Sequence, residues 1–181
     1  MYNYRKESYE QRVEIMRRCT ANALNEGDVW TWDAGSEKIL EDLFLTNHGI
    51  TEIAYYLNIP EVAVMSKVLE MKLYGRYDFP EFHRWCGDDE NTPENMRGAA
   101  FNSDPFTRAI EMLRRDTLAF DESRFVWDAE RVENMRRKFI IAEGITEIAL
   151  ALGCTEPMVL NKILEEGLYY KMNYPMFFYC R

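Results

Sequence analysis

Within two long stretches of the chain the apolar positions recur at three and four residues, the period of a helix face, rather than alternating as in a half-buried strand. Ile15, Met16 and Cys19 predict the buried stripe of an opening helix, and Ile110, Leu113 and Thr117 predict a second one. After Trp32 and Trp127 come further helices, capped by Asp33 and Asp128. Leu40, Leu43 and Phe44 supply the apolar face of one; Met135, Phe139 and Ile140 supply that of the other. Gly49 and Gly144 stand where those helices should close in the left-handed conformation. Short helices follow, with Thr51 and Thr146 as caps and Ile50, Ile53, Ala54, Leu57 or Ile145, Ile148, Ala149, Leu152 as a narrow apolar face. Asn58-Ile-Pro60 and Gly153-Cys-Thr155 then interrupt the pattern. A last helix in each stretch carries Val64, Val68 and Leu69, or Val159, Ile163 and Leu164. The expected fold class is all-α.

The two stretches are copies of one another. Residues 32–82 align without a gap on 127–177, at a shift of 95, with 20 identities in 51 positions. Upstream, Glu14-Ile-Met-Arg-Arg-Cys-Thr20 matches Glu111-Met-Leu-Arg-Arg-Asp-Thr117 at a shift of 97. A tandem duplication of two helical bundles is therefore expected, each with a preceding helix and an aromatic C-terminal extension. The first repeat occupies 1–82 and the second 107–181, each folding as its own compact unit. Residues 83–106 form the linker, in which Gly87-Asp-Asp-Glu-Asn-Thr-Pro-Glu94 is turn-rich and Asn102-Ser-Asp-Pro105 reads as a cap with proline in the first turn. Trp85 and Phe101 could dock the linker on either copy.

The order of helix after Trp, glycine, short helix with an I-A-x-x-L core, three-residue turn and longer helix resembles the Myb/SANT-like trihelical helix-turn-helix domains over Trp32–Leu73 and Trp127–Leu168. The resemblance implies that the third helix of each module enters the major groove of duplex DNA. It would present Met65, Ser66, Lys67 and Lys72 in the first copy and Leu160, Asn161 and Lys162 in the second. One chain would then do with an internal pseudo-twofold what a homodimer does.

Charge pulls the reading the other way. The chain carries 22 Lys+Arg against 31 Asp+Glu, a formal charge of −9, which disfavours simple coating of nucleic acid or an anionic membrane. Any DNA contact must come from local bases. Arg114 and Arg115, matching Arg17 and Arg18, supply some, and Arg136-Arg137-Lys138 replaces Glu41-Asp42-Leu43 of the first copy. The simpler reading of the arginine pairs is a solvated one, each paired with a Glu three or four residues away. The candidate helices also carry Glu61, Glu70, Glu156, Glu165 and Glu166, which repel phosphate and suit a basic protein channel instead. Aromatic tails with a base, Tyr74-Gly-Arg76 and Tyr169-Tyr-Lys171, could stack on single-stranded nucleic acid, or could wrap the bundle as extra core.

Catalytic chemistry is not apparent. His48 has Glu143 as its counterpart, and His83-Arg-Trp-Cys86 lacks two further zinc ligands. Glu52 and Glu147 recur in both copies, where complementing a helix dipole explains them without acid–base catalysis. Cys19, Cys86, Cys154 and Cys180 are scattered and expected to be free thiols. Met1-Tyr-Asn-Tyr-Arg-Lys-Glu7 has no signal-type apolar run, and no stretch approaches the ~18 apolar residues of a membrane span. The expectations are a cytoplasmic, non-enzymatic binding protein with no cofactor or metal, and two readings of its partner. One is a regulator that uses both modules on duplex DNA or a protein–nucleic-acid complex, as a monomer or a homodimer. The other is an acidic inhibitor or adaptor, in charge like the phage-encoded anti-CRISPR proteins of bacterial hosts, which occupies a nucleic-acid enzyme and blocks DNA engagement.

Overall fold

A computed structural model describes residues 9–26, 30–78 and 105–171, and all regular structure among them is helical. In the first half α1 spans Tyr9–Glu26, α2 Ala34–Leu45, α3 Ile50–Leu57 and α4 Glu61–Glu70, followed by a 3₁₀ segment, Leu73–Asp78. In the second half α5 spans Pro105–Asp116, and two short 3₁₀ turns, Thr117–Ala119 and Glu122–Arg124, lead to α6 (Ala129–Ile140), α7 (Ile145–Leu152), α8 (Glu156–Glu165) and the single turn α9 (Leu168–Lys171). Helices α2, α3 and α4 have 12, 8 and 10 residues, and so do α6, α7 and α8. Residues 83–104 of the expected linker, with Trp85, Phe101, His83 and Cys86, as well as Cys180 and the tails beyond Asp78 and Lys171, lie outside the described residues, and the linker's last two positions, Pro105 and Phe106, open α5.

Local chemistry explains the helix starts. Asp33 accepts the Ser36 amide at 2.7 Å while its own amide donates to the Ser36 hydroxyl at 3.1 Å, a capping box. Asp128 accepts the Arg131 amide at 2.8 Å. The glycines act differently from expectation. The left-handed residues that close α2 and α6 are Asn47 (φ 64) and Ala142 (φ 65), two positions earlier, whereas Gly49 and Gly144 are extended and start the next helix. What they provide is space. A Cβ at Gly49 would lie 3.4 Å from the Thr146 hydroxyl, and one at Gly144 3.2 Å from the Thr51 hydroxyl. Asn58 (φ 55) and Gly153 (φ 67) are the left-handed residues that turn α3 into α4 and α7 into α8.

The buried stripe of α1 is also rotated from the predicted one. Ile15 is 48% exposed and Cys19 is exposed, while Val13, Arg17, Thr20 and Ala21 are buried. In α5 the buried residues are Ile110 and Arg114, at the positions of Val13 and Arg17; Thr117 falls beyond the helix end. An arginine at the centre of each stripe is invisible to a search for apolar spacing. In α6, Met135 and Phe139 are buried as expected and Ile140 faces out.

Side chains from the two halves form one core. Leu40, Phe44, Ile53, Val64 and Val68 belong to the same cluster as Met135, Phe139, Ile148, Val159 and Ile163. The connections cross over: α1 packs against α9, α5 against the 3₁₀ segment Leu73–Asp78, and α3 against α7. The copies therefore do not each close around a separate core, because the helix that opens each one seals the other.

The rotated stripe has a direct test in thermal or urea unfolding. Val13→Ser is expected to cost about 2–3 kcal/mol, while Ile15→Ser, predicted equally damaging by apolar spacing, should stay within about 0.5 kcal/mol.

Candidate functional site

Two fully buried ion pairs sit where the halves meet. Arg17 reaches Glu61 through Nε (3.1 Å to Oε2) and Nη2 (2.9 Å to Oε1), and Arg114 reaches Glu156 in the same way at 3.1 and 3.0 Å. Two further guanidinium hydrogens of each arginine cross to the other half. Arg17 donates to the carbonyls of Phe139 and Glu143, both at 2.7 Å, and Arg114 to those of Phe44 (2.7 Å) and His48 (2.6 Å). These carbonyls lie at and just beyond the ends of α6 and α2, where helix oxygens lack intrahelical donors and the dipole favours a cation. Each guanidinium also lies over a ring of the other half, Arg17 3.9 Å from the Phe139 centroid and Arg114 3.8 Å from that of Phe44.

The carboxylates are saturated as well. Glu61 accepts the Thr51 hydroxyl and, at 2.7 Å, the phenol of Tyr169; Glu156 accepts the Thr146 hydroxyl and, at 2.7 Å, the phenol of Tyr74. Each tyrosine therefore reaches a carboxylate of the opposite copy. The threonines cap across the junction rather than their own helices: the Ile145 amide donates to Thr51 Oγ1 and the Ile50 amide to Thr146 Oγ1, both at 2.9 Å. A side chain at 144 would press on the Glu147 carboxyl and on Thr51, while a Cβ at 49 would meet Thr146 at ordinary contact distance.

Burial alone would push Glu61 up, but the Arg17 charge and the hydrogen bonds from Arg17, Thr51 and Tyr169 outweigh it and hold the carboxyl below the ordinary glutamate range. Tyr169 moves the opposite way, well above its ordinary value, through burial and the neighbouring Glu61 charge. Glu147, in the first turn of α7, is raised by burial and, among charges, by Glu156 and Glu52; its Oε2 is buried without a hydrogen-bond partner. Burial pushes the Cys154 thiol up to about 12.

This geometry redistributes the candidate residues. Glu61 and Glu156, expected as acidic docking groups, are fully buried, and so is Arg114, expected as a nucleic-acid contact. A buried carboxylate already holding four donors has no lone pair to offer a partner. Met65 and Leu160 are buried in the core, and Lys67 is nearly so, held by Glu37 (2.6 Å) and Glu70 (3.0 Å). Lys162 is held by Glu165 (2.9 Å) and Glu166 (3.7 Å). Arg115 pairs with Glu111, Arg136 with Glu133 and Glu166, Lys138 with Glu143, and Arg76 with Glu41. Arg137 is exposed, 3.4 Å from Asn134, and Lys72 and Lys171 are exposed. Tyr74 and Tyr169 are buried, so the tails begin as core and offer no stacking face there.

What faces outward on α4 and α8 is the same three-position strip twice: Ser66, Leu69, Glu70 and Asn161, Leu164, Glu165. Separately, a cleft of about 230 Å³ runs between α1, Trp30 and the α3–α4 turn, lined by Ile15, Met16, Cys19, Ile59 and Pro60, with Arg12 bonded to the Tyr55 phenol at its edge. Among the described residues no group of three or more His, Cys, Asp and Glu is placed to hold a metal ion, and no helix is long and apolar enough to cross a membrane. No family model, no curated protein and no solved structure matches the chain.

Pairing of the arginines with a Glu three or four residues away holds for Arg18 with Glu14 and Arg115 with Glu111, but not for Arg17 and Arg114, which turn inward. The missed members of the junction are Arg17, Thr51, Thr146, Phe44, Tyr74 and Tyr169 as cross-copy partners. Identity between the copies at these positions is the signal that could have found them.

Removing one charge of a buried pair strands the other. Arg17→Met is expected to destabilise by about 3–5 kcal/mol, and Arg17→Met with Glu61→Met by less than the sum of the single changes, measured as a double-mutant cycle in urea.

The two perturbed carboxyls act on stability with opposite signs. Glu61 titrates below its unfolded value, so its contribution is present above the ordinary glutamate range and is lost as pH falls through the folded value; Glu61→Gln should flatten that acid limb. Glu147 titrates above its unfolded value, so stability falls as pH rises through the folded value. Glu147→Gln is therefore expected to raise the midpoint of thermal unfolding at neutral pH and to leave it unchanged well below the ordinary glutamate range.

Proposed function

We propose that the protein is a non-enzymatic regulatory binding protein made of two helix-turn-helix-like modules, Myb/SANT-like in pattern, and that it engages a basic protein surface of a nucleic-acid-handling complex rather than naked duplex. The module reading is supported by the order of α2, α3 and α4, repeated in α6, α7 and α8, with a left-handed residue opening a three-residue turn between the last two helices of each.

The partner reading rests on one observation, the repeated outward strip on α4 and α8. A groove-reading helix presents Arg, Lys, Asn or Gln to bases and phosphates. Here Glu70 and Glu165 are 70% and 68% exposed, while Lys67 and Lys162 of the same helices are engaged by carboxylates. Leu69 and Leu164 lie half or more than a third exposed between polar neighbours. A leucine beside an exposed carboxylate matches a protein surface with an apolar notch and a base, and repels a phosphate row. An inhibitor of the anti-CRISPR kind, which occupies a basic nucleic-acid channel, would act in this way.

Gel shift on duplex DNA, single-stranded DNA and RNA, run in parallel with capture on the immobilised full chain, tests the reading. At ~150 mM salt no shift is expected with any of the three, and captured basic nucleic-acid-binding proteins should be lost with Glu70→Lys plus Glu165→Lys but kept with Lys38→Glu. A salt-dependent duplex shift that Arg137→Glu or Lys162→Glu abolishes would establish direct DNA binding instead.

A further inference from the structure

The junction between the halves is built from paired groups of the same kind. Arg17 and Arg114, Glu61 and Glu156, Thr51 and Thr146, Phe44 and Phe139, and Tyr74 and Tyr169 are identical pairs. So are the first five residues of α3 and α7, Ile-Thr-Glu-Ile-Ala, which pack on each other. Across the wider repeat only 20 of 51 positions agree, yet every side chain named in these centres is shared. The other polar contacts end on backbone. The two guanidinium groups donate to the carbonyls of His48 and Glu143, a pair that differs in side chain but not in the atom used. Equivalent distances on the two sides agree within 0.1 Å, as with 2.7 Å for both phenol-to-carboxylate bonds. Such a surface carries little to distinguish the other half of its own chain from the corresponding half of another.

We infer that each half is self-complementary, so that the surface exposed when the halves part fits a second copy of this chain, which pairs with it through the same Arg–Glu–Thr–Tyr centres. Two outcomes follow from one rule. In the intact chain the partner half is tethered, at an effective concentration in the ~mM range, and closure within the chain wins at ordinary dilution. Where chains are crowded while open, or where the linker is cut, exchange between copies competes, giving intertwined dimers from intact chains and like-with-like pairs from separated halves. Neither arrangement strands a buried charge, because each arginine finds its carboxylate in its own half and its carbonyl acceptors at the end of α2 or α6 of whichever half arrives.

A protease site introduced after Gly87 of the full chain tests this. The folded protein is cleaved, the pieces are followed by native mass spectrometry, then unfolded in urea and refolded by dilution. The cleaved protein is expected to stay together as one unlike pair and, after refolding, to yield both like pairs beside it. Return of the unlike pair alone overturns the inference, since the junction then discriminates between the halves. Intact protein supplies an independent measurement. Refolded at increasing concentration, it should give a dimer share that rises with concentration and survives later dilution, while protein concentrated without unfolding stays monomeric. Monomer alone at every refolding concentration, with the cleaved pieces remaining unpaired, also overturns it.

Discussion

Two arginines taken out of water in the middle of the molecule set the terms for everything around them. An isolated buried guanidinium or carboxylate is too costly to persist, and pairing alone does not return that cost; the hydrogens and lone pairs left over must also find partners. Arg17 and Glu61 satisfy one another only in part. Two of the guanidinium hydrogens end on carbonyls of the second half, and one of the carboxylate's remaining lone pairs on Tyr169. Arg114 and Glu156 impose the mirrored demand on the first half. Neither centre is complete until both halves are present, which ties the packing of α1 on α9 and of α5 on the 3₁₀ segment Leu73–Asp78 to the same event.

That demand also shapes the surface. Drawing Glu61, Val64, Met65 and Val68 inward leaves α4 only a narrow exposed strip, and drawing in Glu156, Val159, Leu160 and Ile163 does the same to α8. A helix whose buried side holds a saturated ionic centre and whose lysines are already paired has little left with which to read a groove. The same packing leaves Leu69 and Leu164 beside the exposed carboxylates of Glu70 and Glu165.

Helix order was legible because it rests on local rules: Asp before the first turn, apolar residues at three and four, an interruption of that spacing at Asn58-Ile-Pro60 or Gly153-Cys-Thr155. Burial was legible where the buried residue is apolar, as at Leu40, Phe44, Met135 and Phe139. It was illegible at Arg17 and Arg114, since charge marks a residue as surface unless its partner is known, and that partner, Glu61 or Glu156, stands more than forty positions away. The glycines misled for a related reason. A glycine after a helix commonly supplies a left-handed turn, but Gly49 and Gly144 are extended residues that open the next helix, each beside the threonine of a distant segment.

The two copies agree at the centres where they touch and differ over much of their outer surface. Glu41-Asp42-Leu43 on α2 faces Arg136-Arg137-Lys138 as its counterpart on α6. Trp30 borders the cleft beside α1, whereas in the second half Phe125 packs edge-on against Trp127 and tilted against Phe120. A junction that fixes a handful of positions, and reaches the rest through backbone atoms, leaves the outward residues of each half free to change without disturbing the centre. The scaffold therefore keeps its pseudo-twofold core while its two faces acquire different chemistry, one with an apolar cleft and one with a basic turn. A partner engaging both faces at once need not itself be symmetric.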